Sequence, residues 1–170
     1  MDFKDTPELA AFRDAARNWL DANAKRRTDK LHMGMEGEQA FLEAKDWYKK
    51  KADAGFACLT WPKEYGGAGL SSLHEVVWAQ EVANYATRDA HFVIGIGNCG
   101  PAIMHFANEQ ARLELLPRMA SAEDVWCQLF SEPSAGSDVA GLRTRAQQDG
   151  DQWLLNGQKI WTSGAQHSDY

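Results

Sequence analysis

The sequence predicts an α+β protein in which an N-terminal all-α helical domain, residues 1–122, precedes an antiparallel β-barrel-like domain, residues 123–170, that is truncated at its C-terminus. Two observations lead to this prediction. Up to about residue 120, apolar side chains recur at helical spacing, whereas the later residues form short apolar runs separated by turn signals. A helical block before a β block is typical of α+β chains, and we place the boundary between Ser121 and Asp124.

The first two helices are predicted from their start signals and spacing. Thr6 and Pro7 suit the N-cap and the first position of a helix. The apolar residues that follow share one helical face: Leu9, Phe12, Ala16, Trp19 and Leu20. A second helix is expected over residues 38–54, because a glycine that can end a helix comes next.

Two further helices are expected in the same domain. Ser72 and Glu75 have the spacing of a capping box and precede an apolar run. The other helix is expected over residues 108–120, despite Pro117. The glycine-rich run WPKEYGGAGL, residues 61–70, predicts a structured loop.

The run HFVIGIGNCGPAI, residues 91–103, has the Gly-x-Gly-x-x-Gly spacing of a dinucleotide-binding turn. Such a turn needs a second parallel strand with an acidic residue about 20 residues later. The sequence there, LELLPRMASAED, contains no β-branched run. We therefore expect a helix, in which Gly95, Gly97 and Gly100 let a neighbouring helix or an elongated ligand approach closely.

Four strand-like runs follow the domain boundary: VWCQLF, LRTRAQQ, QWLL and QKIWTS. Asp149-Gly150 and Asn156-Gly157 are both sequences that favour two-residue hairpins, so we expect antiparallel pairing around each of them. The unpaired edge that such a segment leaves predicts poor solubility for the 170-residue chain by itself.

The composition excludes several classes of protein. A net charge of −6 argues against a non-specific binder of nucleic acid or anionic membrane, and no apolar run is long enough to span a membrane. The acidic N-terminus is unlike a secretory signal. Three cysteines, far apart, are interpreted as packing residues in a reducing compartment, with a reactive thiol as the alternative: Cys58, Cys99 and Cys127. We therefore expect a cytoplasmic protein.

The run WCQLFSEPSAGSDVAGLRTRA, residues 126–146, carries the chemistry. Three serine hydroxyls there can donate hydrogen bonds: Ser131, Ser134 and Ser137. The backbone amides of Ala135 and Gly136 are expected to be open to a ligand. These features predict an anion- and amide-binding loop, and an ordinary Ser/Gly/Pro turn is the alternative that the residues alone leave open.

The run FSEPSAGSD, followed by LRTRA and DGDQWLLNGQKIWTSGA, strongly resembles the signature of the acyl-CoA dehydrogenase family. WPKEYGGAGLS and NEQARLELLPRMASAEDVW extend the resemblance over nearly the whole chain. FSEP and KIWTSGA are most similar to a bacterial branch that includes long-chain and steroid-side-chain enzymes. The resemblance implies an N-terminal helical domain, a central β domain and a C-terminal four-helix domain, and this chain matches the first and part of the second.

The resemblance also implies the activity of the complete enzyme. Family members use FAD: a glutamate takes the α-proton of an acyl-CoA, the β-hydrogen leaves as hydride to the flavin, and an electron-transferring flavoprotein accepts the electrons. A homo- or hetero-oligomer is implied for the complete protein. This chemistry needs a positioned carboxylate, because a thioester α-proton is only weakly acidic.

The cofactor-binding residues implied by the resemblance lie on two segments: Gln128, Leu129, Phe130, Ser131, Trp161, Thr162 and Ser163. Ser131 replaces the commoner threonine at the flavin's pyrimidine edge. Trp161 matches the tryptophan that packs on the isoalloxazine, and Ser163 matches the hydroxyl residue near flavin N5. Ser137 matches the serine that contacts the CoA portion of the substrate. A core aromatic at Trp161 and a plain turn residue at Ser163 are the alternatives.

No catalytic residue is assigned within this chain. The family's glutamate comes from segments that lie beyond Tyr170. Glu132, which Pro133 follows, is interpreted as structural, and we assign no role to His91 or His105.

Three interpretations remain at this point. The leading one is the N-terminal portion of a FAD-dependent acyl-CoA dehydrogenase that is inactive without its C-terminal domain. The second, within the same fold, is an acyl-CoA oxidase or a nitroalkane-oxidising relative. The third is a non-catalytic, truncated helical interaction module.

Overall fold

The computed structural model describes residues 4–27 and 37–170. Within these ranges the helices are α1 (Pro7–Asn23), α2 (Glu38–Asp53), α3 (Ser72–Val82), α4 (Gly100–Phe106) and α5 (Glu109–Ala120). The strands are β1 (Lys25–Arg26), β2 (Tyr85–Ala86), β3 (Arg145–Asp149) and β4 (Gln152–Asn156). The predicted α+β class is confirmed, since a helical domain precedes small antiparallel strands. The strands of the described ranges form no closed barrel.

Side-chain caps start α1 and α5. Thr6 Oγ1 accepts the N–H of Leu9 at 3.3 Å, and Asn108 Oδ1 accepts that of Ala111 at 2.8 Å. Both caps satisfy backbone donors that a helix start leaves without a partner. Pro117 lies inside α5, as the sequence predicted.

The predicted capping box at α3 is wrong. The N-cap is Ser71, one residue earlier, and no side chain caps the helix. Glu75 instead accepts the hydroxyl of Thr60 at 2.8 Å. The Glu75 carboxylate therefore connects the helix to Thr60, just before the 61–70 loop, instead of capping the helix N-terminus.

Buried aromatic side chains join the helices. Leu20, Trp47 and Tyr85 form one buried cluster, which brings α1, α2 and β2 together. A second cluster lies between the loop before α3 and helix α5: Cys58, Trp61, Leu116, Met119 and Ala120. No helix of the described ranges is long and apolar enough to cross a membrane.

The glycine run at residues 95–100 is helical, as the sequence predicted. Gly95–Cys99 is one turn of π-helix that continues directly into α4. An added Cβ at Gly100 would lie 2.3 Å from Trp61 Cζ2 and Cη2. The glycine therefore lets the Trp61 ring pack against the helix backbone, and the segment makes no strand-to-helix nucleotide turn.

The hairpin at Asp149-Gly150 is confirmed. Strands β3 and β4 pair antiparallel, with Asp149 opposite Gln152 and Gly150 at φ +60° in the turn.

The second predicted hairpin, at Asn156-Gly157, is wrong. Strand β4 ends at Asn156, and residues 157–162 belong to no strand. An added Cβ at Gly157 would lie 2.1 Å from Thr144 Oγ1. This glycine therefore serves a close approach of two backbones rather than a turn.

The predicted strands VWCQLF and QKIWTS are also absent as regular strands. Their backbones bond to distant residues over short stretches only. The N–H of Cys127 donates to the carbonyl of Tyr170 at 2.9 Å, and the carbonyl of Val125 accepts the N–H groups of Asp169 at 2.8 Å and Tyr170 at 3.3 Å. The N–H of Ile160 donates to the carbonyl of Ser131 at 3.0 Å. So few bonds leave much of the backbone outside a regular ladder.

Candidate functional site

The structure brings the two predicted cofactor-binding segments together. The Ile160 N–H donates to the Ser131 carbonyl at 3.0 Å, and Lys159 Nζ donates to the Phe130 carbonyl at 3.0 Å. Residues 128–131 and 161–163 are therefore neighbours in space, although about thirty residues of chain separate them. Gln128 and Ser131 are half-buried.

The surface that these segments present is apolar and open. Trp161 has a left-handed backbone, φ +55°, and its side chain is 83% exposed. Leu129 and Phe130 are each about half exposed. Within the described residues, the indole belongs to none of the buried core clusters. Exposed apolar side chains grouped in this way are typical of a surface that binds a ligand or another part of a protein.

Ser163 and Thr162 continue this surface toward the helical domain. Ser163 lines a cavity of about 270 Å³ together with Ser168, His91 and Trp126. His91 Nδ1 and Trp126 Nε1 have no hydrogen-bond partner among the described residues and are shielded from solvent. Burial, with His167 nearby, lowers the pKa of His91. Neutral imidazole is therefore favoured, and the cavity can bind a largely uncharged group.

The signature loop is only partly open. Ser134, Gly136 and Ser137 are exposed. The prediction that the Ala135 amide is open to a ligand is wrong: this amide donates to the carbonyl of Glu132 at 3.1 Å, and the Ala135 side chain is buried. The Ala135 amide is therefore used within the loop and is not open to a ligand.

Glu132 is a structural acceptor at the base of this loop. Its carboxylate accepts the backbone N–H groups of Arg143 at 2.7 Å and Thr144 at 2.9 Å, and Lys159 Nζ at 2.8 Å. The hydrogen bond from Lys159 contributes most to lowering the Glu132 pKa to about 2, and the hydrogen bonds from residues 143–144 lower it further. A carboxylate so stabilised in its ionised form is a poor general base near neutral pH.

Sequence reasoning missed two residues of this region. Lys159, two residues before Trp161, bonds to the Phe130 carbonyl of the other segment and to Glu132, and Trp126 lines the cavity beside Ser163. The signal for Lys159 was a lone basic residue directly before the apolar pair Ile160 and Trp161, in the run NGQKIW. Trp126 carried no signal beyond that of a strand residue.

A second cavity, of about 330 Å³, lies within the helical domain. Lys51, Trp61, Trp78 and Gly97 are among the residues that line it. No group of three or more His, Cys, Asp or Glu side chains that could bind a metal occurs in the part of the chain that the structure describes.

Comparisons with known proteins agree with this architecture. The model of the acyl-CoA dehydrogenase N-terminal domain matches residues 6–123, and that of the middle domain matches residues 127–170. Acyl-CoA dehydrogenase IpdE1 of Mycobacterium tuberculosis is 40% identical over 166 residues, which cover 96% of this chain and 43% of that protein.

Two solved structures resemble the whole chain. The ChsE4-ChsE5 complex from Mycobacterium tuberculosis matches with a TM-score of 0.74 and 30% identity, over 100% of this chain and 42% of that one. The structure described as the Tcur3481-Tcur3483 steroid ACAD matches with a TM-score of 0.75 and 30% identity, over 100% and 43%. The chain thus spans about two fifths of the length of these relatives.

A helical domain followed by small antiparallel strands, with the FSEPSAGSD loop in the second region, is the arrangement of the N-terminal and middle domains of acyl-CoA dehydrogenases. The chain belongs to the acyl-CoA dehydrogenase family, and it corresponds to the N-terminal portion of such a protein. The resemblance predicted from the sequence is therefore confirmed.

Proposed function

We propose that the protein containing this chain is a FAD-dependent acyl-CoA dehydrogenase that desaturates an acyl-CoA thioester between its α and β carbons. One observation carries the proposal. Two separate segments that resemble the family's flavin-binding residues are hydrogen-bonded to each other, and Trp161, Phe130 and Leu129 on these segments are exposed to solvent. An aromatic cofactor binds where exposed apolar side chains lie beside backbone polar groups.

The residues of this surface fit FAD. The indole of Trp161 is free to stack on a ring system, because most of its surface is uncovered. The hydroxyls of Ser131, Thr162 and Ser163 can donate to ring acceptors. The extended backbone at residues 128–130, outside any ladder, can bond to the edge of a heterocycle. Bound there, FAD would supply the hydride acceptor.

The substrate is assigned to the adjoining groups. Ser137, exposed on the signature loop, is proposed to contact the CoA portion. The cavity beside Ser163 is proposed to receive part of the acyl group, because it adjoins the cofactor surface and His91 is favoured in its neutral form. Glu132 is occupied by structural bonds, so we assign the catalytic base to none of the described residues.

The relatives support a finer proposal for the substrate and the assembly. One solved relative is described as a steroid ACAD, and another as a complex of two proteins. We propose a bulky, steroid-derived acyl-CoA as substrate, a homo- or hetero-oligomeric assembly, an electron-transferring flavoprotein as acceptor, and the cytoplasm as the place of action.

The test uses the full natural protein, purified with any subunit that accompanies it. We expect an oxidised flavin spectrum that bleaches under anaerobic conditions when a steroid-side-chain acyl-CoA is added, with slower bleaching by octanoyl-CoA. Absence of flavin would contradict the proposal and favour the non-catalytic interaction module. Rapid reoxidation of the reduced flavin by oxygen would favour the oxidase alternative.

A further inference from the structure

Lys159 connects the two segments of the cofactor surface. Its ammonium donates to the Phe130 carbonyl at 3.0 Å and to Glu132 Oε1 at 2.8 Å. Lys159 precedes Trp161 by two residues, and Phe130 itself belongs to the surface. The ammonium therefore bonds directly to the backbone on which the proposed flavin contacts lie.

Glu132 extends this connection to a third part of the chain. Its carboxylate also accepts the N–H groups of Arg143 and Thr144, where β3 is about to begin. The side chain of Glu132 is 4% exposed and that of Lys159 is 18% exposed. An exposed ion pair contributes little, but a largely buried pair leaves an uncompensated charge when one partner is removed.

We propose that Glu132 and Lys159 are a positioning pair, which sets the spacing between residues 128–131 and 161–163 and keeps that edge of the cofactor surface electrically neutral. This inference rests on the proposed function, because it requires flavin on that surface. Neither residue is a catalytic residue, since each acts through the backbone that it bonds.

The pair predicts that the two single variants shift the midpoint potential of the flavin in opposite directions. Lys159→Met removes the positive charge, so the unpaired Glu132 carboxylate disfavours the more negative, reduced flavin and lowers its midpoint potential. Glu132→Gln leaves the Lys159 ammonium unpaired and raises the potential. We expect each change to shift the equilibrium between oxidised and reduced flavin at least tenfold, which is about 30 mV for a two-electron couple.

A merely structural role predicts something different. Loosening the same loop in either variant would weaken FAD binding, without shifts of opposite sign. Glu81→Gln is the matched control. Glu81 is also a buried carboxylate, and it accepts bonds from Arg13 at 2.9 Å and Arg17 at 3.0 Å within the helical domain. We expect this control to lower stability and leave the potential unchanged.

The experiment measures the midpoint potential and the FAD dissociation constant of the flavin-loaded full protein and its variants by dye equilibration and flavin titration. Opposite shifts in the two single variants support the inference. Shifts of the same sign, or none, with flavin bound in the parent protein overturn it and leave the proposed function intact. A parent protein that binds no flavin overturns both.

The double variant keeps the inference testable if a single variant does not fold. Glu132→Gln combined with Lys159→Met removes both charges and leaves no unpaired one. We expect the potential of the parent protein with weaker FAD binding. A double variant whose potential is displaced as far as that of a single variant would overturn the inference.

Discussion

Gly100→Ala tests how the helical domain packs around its glycine-rich segment. The new Cβ would lie 2.3 Å from two ring carbons of Trp61 and 3.2 Å from Met119 Sδ. Trp61 and Met119 both belong to the buried cluster beside α5. Neither side chain can move without disturbing the rest of this buried cluster, so the added methyl group must displace well-packed side chains.

The neighbouring variant Gly97→Ala supplies the reference. A Cβ at Gly97 would meet nothing within 4 Å. Both positions are helical, so replacing glycine by alanine stabilises the helix by a similar amount, about 1 kcal/mol, in each variant. The difference between the variants therefore isolates overpacking at Gly100, which costs about 1–3 kcal/mol.

The assay uses the full protein: thermal unfolding followed by circular dichroism, with FAD content measured on the same samples. Because overpacking costs about 1–3 kcal/mol, Gly100→Ala is expected to melt at a lower temperature than Gly97→Ala. Equal or higher stability of Gly100→Ala would refute the packing of Trp61 on this helix. Loss of FAD from a folded Gly97→Ala protein would instead identify GIGNCG as a nucleotide site.

Four other predictions concern the cofactor surface and the loop below it. Trp161→Ala should weaken FAD binding at least tenfold, because ~100 Å² less apolar contact costs about 2–3 kcal/mol; flavin titration measures this, and unchanged affinity would exclude the stacking. Ser137→Ala should weaken the binding free energy of a substrate analogue, measured by calorimetry, by about 0.5–1.5 kcal/mol, with FAD retained. Loss of flavin would contradict the assignment of Ser137 to the substrate. In the folded protein the Glu132 pKa falls from 4.5 to about 2. The contribution of Glu132 to the free energy of unfolding is therefore complete above pH 4.5 and is lost as pH falls toward 2. Glu132→Gln should flatten a plot of the free energy of unfolding against pH over that range. The 170-residue chain alone should not dehydrogenate octanoyl-CoA with an artificial electron acceptor, and measurable turnover would contradict this.

Local signals predicted much of the helical domain. The cap at Thr6 and the glycine turn at Gly150 depend on residues within three or four positions, so the sequence contains all that is needed. The same holds for the helix over residues 95–106, where the absence of a later strand pattern excluded a nucleotide turn.

Features that depend on distant partners were not predictable in this way. VWCQLF has the composition of a strand, but a strand needs a neighbour to pair with, and its backbone bonds mainly to Asp169 and Tyr170 near the end of the described residues, with Lys159 on the Phe130 carbonyl. Lys159 and Glu132 meet across 27 residues of chain. The roles of the cofactor-binding residues and of Ser137 were implied only by the resemblance, and they stay predictions.

The left-handed backbone of Trp161 has a consequence for the energetics of ligand binding. A non-glycine residue at φ +55° is disfavoured by about 1–2 kcal/mol, and the bonds on either side of it, through Ile160 and Lys159 and through the Thr162 carbonyl, stabilise that conformation. The direction of the Cα–Cβ bond of Trp161 is therefore fixed when the chain folds. A planar ligand that stacks on the indole has to order only the side-chain torsions and not the backbone, so less of the contact energy is lost as conformational entropy.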